Sequence, residues 1–291
     1  MTIDVAAAAE RIRPYARRTP LWRVEVDGRP LALKLEHLQL TGSFKIRGAL
    51  NTLLAGPAVD HVVTASGGNH GLGVAKAAQL LGVAATVYVP VSAPDGKVRR
   101  IEAAGAKLIR HGATYAEAAA AAREHDGAYV EAYDDPLVVS GQGTVGLEIV
   151  AELPAVDSIA VAVGGGGLVA GIAAAAHGRL TVAVEPEGCS ALRNALAAGG
   201  PVDGPVDSVA SSALGATRVG EVPFEVLKSA AVTSLLVTDS ELLAARDRLW
   251  EEFRLAVEPA AAVPFAAFLA GTVPGDLPCV VLCGANTDWT P

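Results

Sequence analysis

Residues 158–176, SIAVAVGGGGLVAGIAAAA, run from an apolar, β-rich segment through four consecutive glycines into an alanine-rich apolar helix. A strand, a tight loop and a helix in that order make an α/β unit, and similar units recur on both sides of it. LALKLE (31–36), HVVTAS (61–66), ATVYVP (85–90), AKLIRH (106–111), TVAVE (181–185) and CVVLCG (279–284) read as further buried strands. Helix-length segments such as NHGLGVAKAAQLLG and ATYAEAAAAAREHDG lie between most of them. The alternation predicts parallel strands with helices on both faces, arranged in two α/β lobes. Ligands of such sheets collect at the carboxyl ends of the strands. Three glycine-rich loops occupy that position: SGGNHG (66–71), GGGGL (164–168) and CGANTD (283–288).

Bulk properties narrow the function. The chain has 291 residues, 51% of them hydrophobic and 4% aromatic, which suits a compact α/β protein. Its net charge is -8, and no basic cluster exceeds the pairs Arg17-Arg18 and Arg99-Arg100, so nucleic acid is not an expected partner. The N-terminus lacks the pattern of a signal peptide, and no apolar run reaches the ~20 residues of a membrane helix. Cys189, Cys279 and Cys283 form neither a disulfide framework nor a CxxC metal pair. A soluble protein of the reducing cytoplasm, with no membrane partner, is the expectation.

Each loop has its own chemistry. In GGGGL the glycines let the backbone curl so that several N–H groups converge, and the following helix adds positive potential. A phosphate cup is the favoured reading, against a tight turn that merely packs closely. It is neither a Walker loop nor a GxGxxG fingerprint. SGGNHG precedes a helix, with Ser66 or Asn69 as a possible N-cap, and its amides suit a small carboxylate. His70 reads by itself as a structural hydrogen-bonder. In TGSFKIRG (41–48), Lys45 is either a reactive amine whose pKa burial lowers or a lysine reaching out from the first helical turn. Cys283 reads alone as a small buried hydrophobe, and Glu258, before Pro259, as a helix N-cap.

The ordered set is more specific than its members. KLEHLQLTGSFKIRGA (34–49), SGGNHG, GQGTVGLEI (141–149), GGGGL, Glu185-Pro186 and CGAN together resemble the pyridoxal-phosphate (PLP) enzymes of fold type II. Among these they are most similar to the serine/threonine dehydratases, or ammonia-lyases, from about Thr19 to Asp288. The resemblance implies a two-lobed, parallel-sheet fold of the tryptophan synthase β kind, with PLP in the interdomain cleft. Residues 1–52 and 138–291 would form the large PLP-binding domain and 53–137 the small one.

The resemblance also implies roles. Lys45 carries the cofactor as a Schiff base and then serves as acid and base. Phe44 packs against the pyridine ring, and Asn69 bonds its 3-hydroxyl. Ser66, Gly67, Gly68, Asn69 and His70 form the loop that grips the substrate carboxylate. Gly164, Gly165, Gly166, Gly167 and Leu168 hold the phosphate. Cys283 faces the pyridine nitrogen, Glu258 lies near the ring, and Asn286 supports the loop. The implied reaction is dehydration and deamination of a β-hydroxy amino acid, L-threonine or L-serine first, with the enzyme a homodimer. A specialised substrate such as 3-hydroxyaspartate, racemisation, β-replacement or non-catalytic PLP binding are the alternatives.

Several departures qualify the resemblance. Serine racemases carry a hydroxyl where this chain has Gly67, which disfavours two-base racemisation. Ala191 stands where some relatives place an Asp six residues after Glu185, so no metal is expected. The segment ASSALGATRVGE (210–221) has Ser212-Ala213 where many relatives have Asp-Gly. With the sequence ending at Pro291, the regulatory domain of the longer threonine deaminases is not expected.

Overall fold

The computed structural model describes residues 2–287 and Trp289; Asp288, at the far end of the resemblance, lies outside them. Among the described residues the strands are β1 (Leu21–Val26), β2 (Arg29–Lys34), β3 (His61–Ala65), β4 (Ala84–Val89), β5 (Lys107–Arg110), β6 (Ala128–Tyr129), β7 (Ser158–Ala162), β8 (Leu180–Pro186), β9 (Val232–Val237) and β10 (Pro278–Val281). The helices begin with α1 (Val5–Ile12), α2 (Lys45–Ala55), α3 (Asn69–Leu81), α4 (Asp95–Ala103), α5 (Tyr115–Glu124) and α6 (Pro136–Glu152). They continue with α7 (Gly167–Ala175), α8 (Ala191–Ala198), α9 (Ser211–Leu214), α10 (Glu221–Leu227), α11 (Asp239–Phe253) and α12 (Pro259–Leu269). None of these helices is long and apolar enough to cross a membrane.

Two sheets form. The larger has the order β1-β2-β10-β7-β8-β9 and the smaller β5-β4-β3-β6. The smaller sheet is parallel throughout, as the β/α alternation predicts. The larger departs from that expectation at one edge, where β1 runs antiparallel to β2 from Leu21↔Lys34 to Val26↔Arg29. The cause is the Asp27-Gly28 turn: φ is 52° and 72°, and two consecutive positive values return a chain directly onto itself. Each strand read from the sequence is present, though β5 is a half-exposed edge strand and not a buried one, while β1, β6 and β9 are additional to that reading. β9 is half-buried along most of its length, so it lacks the continuous apolar run that marks a central strand.

Helix α2 begins at Lys45 and belongs to both halves of the structure. Its Ile46, Ala49 and Leu50 pack with Val62, Val74 and Val87 in the core of the smaller sheet. Its other side meets α6 so closely that a Cβ on Gly141 would lie 2.6 Å from the Arg47 carbonyl oxygen. At that contact the fully buried Arg47 donates to both carboxylate oxygens of Glu36, at 2.8 and 2.7 Å. It also donates to both oxygens of Glu148 on α6, at 2.7 and 3.0 Å. Lys34 Nζ completes the cluster, 2.6 Å from Glu148 and 2.7 Å from the Thr19 carbonyl. Burial alone would raise the Glu36 pKa, but the Arg47 charge and its hydrogen bonds hold it below the usual carboxylate value. Removing one partner from such a cluster strands a charge in a dry interior, which is why it fixes α2 in place.

Candidate active site

The first turn of α2 is seated by the chain's C-terminal loop. Phe44 N–H donates to the Cys283 carbonyl at 3.2 Å, and Ala285 N–H donates to the Gly42 carbonyl at 2.8 Å. TGSFKIRG and CGAN therefore meet across the mouth of the larger sheet. From the other side Gly73 of α3 closes in; a Cβ there would lie 3.1 Å from the Ile46 amide nitrogen.

Lys45 Nζ donates to the Ala132 carbonyl at 2.8 Å and stands 5.3 Å from the centroid of the Phe44 ring. Burial pulls its pKa down to about 8. An amine titrating there is neutral in a large fraction of molecules near pH 8, as a nucleophile or a general base requires. Cys283 is 4% exposed, and burial followed by the Glu258 charge pushes its thiol well above the ordinary value. It stays protonated.

A hydrogen-bonded chain fixes Asn69. Its Nδ2 donates to Glu258 at 2.8 Å, while Asn286 Nδ2 donates to Asn69 Oδ1 at 2.7 Å and to the Thr41 carbonyl at 2.8 Å. Glu258 is at the N-cap position of α12 yet makes no side-chain cap; its carboxylate is turned to Asn69 instead. Neither Ser66 nor Asn69 caps α3, whose N-cap is Gly68. Ser66 Oγ accepts from the Gly68 amide at 3.2 Å, inside the loop. His70 is buried, its Nε2 2.8 Å from Thr64 Oγ1 and 3.1 Å from the Val130 carbonyl. Burial lowers its pKa to about 3, so the ring is neutral and committed to the small sheet.

The four glycines are held by contact as much as by flexibility. Gly166 has φ of 91°, the left-handed region, and is the N-cap of α7. A Cβ on Gly165 would strike the Tyr133 ring at 2.3 Å, and one on Gly167 would lie 3.1 Å from Tyr133 Cβ. The first backbone bond of α7 runs from Ala170 N–H to the Gly166 carbonyl. The amides of Gly167, Leu168 and Val169 thus precede the helical ladder and form an anion-binding end.

A narrow cleft lies between the SGGNHG loop and the Glu258–Asn286 side of the site. Gly67, Gly68, Asn69, Leu72 and Arg100 line it from one side and Ser212, Glu258 and Asn286 from the other. Sequence reading missed Ala132, Tyr133, Arg100 and the charge cluster beneath Lys45. A backbone carbonyl leaves no trace in residue identity, and Tyr133 lies outside every glycine loop. The donor set fits PLP: a partly neutral amine for an aldehyde, a glycine-lined helix N-terminus for a phosphate, and polar groups from Asn69 to Cys283 for a pyridine ring.

Comparison with known proteins agrees. Residues 12–284 match the family described as pyridoxal-phosphate dependent enzyme. The L-threonine ammonia-lyase of Geobacter sulfurreducens is 40% identical over 98% of this chain and 75% of its own. The crystal structure of a T.th. threonine deaminase superposes with a TM-score of 0.93 at 37% identity, covering 99% of both chains. Maize serine racemase gives a TM-score of 0.92 at 30% identity, covering 98% of this chain and 93% of that one. With its largely parallel sheets, half-buried lysine and glycine cup, the chain belongs to the pyridoxal-phosphate-dependent enzymes of fold type II.

Proposed function

We propose that the protein is a PLP-dependent ammonia-lyase that eliminates water from a β-hydroxy amino acid, L-threonine or L-serine, giving a 2-oxo acid and ammonia. The observation that carries this is the half-buried Lys45 amine, its pKa lowered to about 8, set beside Cys283 and held by Ala132. When bound, PLP supplies an aldehyde that holds the substrate amine and a conjugated ring that draws electrons from the α-carbon. Gly164, Gly165, Gly166, Gly167 and Leu168 would hold its phosphate, Asn69 its 3-hydroxyl, Phe44 one face, Cys283 the ring nitrogen, and Glu258 would lie near the ring.

Lys45, once free of the cofactor, takes the α-proton. The Ser66–His70 loop orients the carboxylate through backbone amides, since the His70 ring is occupied by Thr64 and Val130. A neutral thiol at the ring nitrogen would give little stabilisation to charge accumulating there, which favours early departure of the β-hydroxyl, protonated so that it leaves as water. The enamine released from threonine or serine hydrolyses in water. Gly67 offers no proton donor in its loop, which weighs against racemisation.

The proposal includes a division into a large domain, 1–52 with 138–291, and a small one, 53–137, with PLP between them. It also includes a homodimer in the cytoplasm, in keeping with three free, buried cysteines. Protein mixed with PLP should show the visible absorption band of lysine-bound cofactor and should release 2-oxobutanoate and ammonia from L-threonine. Lys45→Ala should lack the band and lose about a thousandfold in kcat. A wild-type protein that binds no PLP refutes the proposal; one that binds PLP but acts on neither threonine nor serine refutes the substrate.

A further inference from the structure

Outside the cleft, a second cavity of about 330 Å³ lies between α5, the segment 131–134 and the loop 218–221. That size is within the range of small-molecule sites. Its walls carry both signs of charge. Arg123 and Glu131 are paired at 2.7 Å, and the Arg123 guanidinium rests 4.1 Å above the Tyr129 ring, so these two charges satisfy one another. Three charges remain: Arg218, Asp134 and Glu221. Arg218 reaches the carbonyl of Pro201 at 2.8 Å and comes no nearer than 3.7 Å to Asp203, a loose ion pair. Asp134 Oδ1 accepts the Val222 amide at 2.8 Å. A polyanion would confront the acids and a polycation the guanidiniums; a molecule with one charge of each sign can match both. Tyr115 and Tyr133 add aromatic walls that favour an ammonium.

We propose that this cavity binds a small zwitterion of the amino-acid class, with its carboxylate on Arg218 and its ammonium between Asp134 and Glu221. Both walls are tied to the cofactor site. Ala132, whose carbonyl accepts from Lys45, is itself part of the wall, with Glu131 and Tyr133 on either side. Tyr133 packs directly on Gly165, and the Gly220 amide donates to the Gly165 carbonyl at 3.1 Å. A ligand that draws the walls together therefore acts on Lys45 and the glycine cup without entering the cleft. By linkage, filling the cleft must alter affinity at the cavity by the same factor.

N,N-dimethylglycine separates the two sites, because its tertiary amine cannot condense with an aldehyde. Calorimetric titration of PLP-loaded protein should show one molecule bound per chain. Arg218→Ala and Glu221→Gln, both exposed, should each weaken binding by about tenfold, whereas Lys228→Ala should leave it unchanged. Saturating probe should change kcat for threonine and should not compete with it. Absence of binding, equal affinity in all three variants, or strict competition with threonine would overturn the proposal. Calorimetry needs no turnover, so failure here is distinct from failure of the elimination reaction itself.

Discussion

Lys45 and Arg47 stand two residues apart on α2, the first half-buried and the second fully buried, and their surroundings treat them oppositely. Arg47 has four hydrogen bonds to two carboxylates and its pKa is driven upward. Lys45 has one carbonyl and a protonated thiol as neighbours, and its pKa falls to about 8. Burial disfavours charge in each case; the countercharge decides the outcome. The same turn of helix thus supplies a permanent cation that anchors and an amine that can be free for chemistry.

The comparison breaks most readily at Arg47. Arg47→Met leaves Glu36 buried without its cation and should cost about 3–5 kcal/mol, read as a lowered urea midpoint. A loss under about 1 kcal/mol would mean that the cluster is not what holds α2. Lys45→Met should act in the opposite direction in cofactor-free protein. The folded pKa of Lys45, about 8, lies below the ordinary 10.5, so the unfolded chain binds more protons between those values. The penalty is complete below pH 8 and disappears as pH rises to 10.5. The variant should be roughly 3 kcal/mol more stable at pH 7, and the gain should vanish near pH 10.5.

Glu185 sharpens the contrast as an intermediate case. It accepts the Leu192 and Arg193 amides at 2.7 and 2.9 Å, while burial raises its pKa to about 7. The folded state then holds the extra proton between pH 4.5 and 7, so stability falls as pH rises through that window. Glu185→Gln should flatten that limb, by on the order of 2 kcal/mol between pH 5 and 8. An unchanged slope would show that amide donors alone suffice to keep the carboxylate charged.

The glycine loops and Lys45 were legible because their chemistry is local: amides that converge, an amine among small residues, a helix that begins at once. Parallel β/α alternation was legible for the same reason, and the Asp27-Gly28 hairpin was overlooked although its dipeptide is a known turn signal. What stayed hidden depends on distance along the chain. Arg47 and Glu148 are far apart in sequence, and nothing in KIRG or GLEI marks them as partners. The four glycines read as flexibility, yet Gly165 is equally a matter of room for Tyr133. Cys283, ambiguous by itself, acquires meaning from its place beside Lys45.

The seating of α2 has a mechanical consequence. Ile46, Ala49 and Leu50 belong to the core of the smaller sheet, and Arg47 is clamped to α6 and to Glu36 beside the larger one. Points on the axle of a hinge move least when its leaves swing. If the smaller sheet rotates about α2, SGGNHG moves relative to Ser212 while the Lys45 amine barely shifts. The enzyme can then shut its substrate away from water without losing aim.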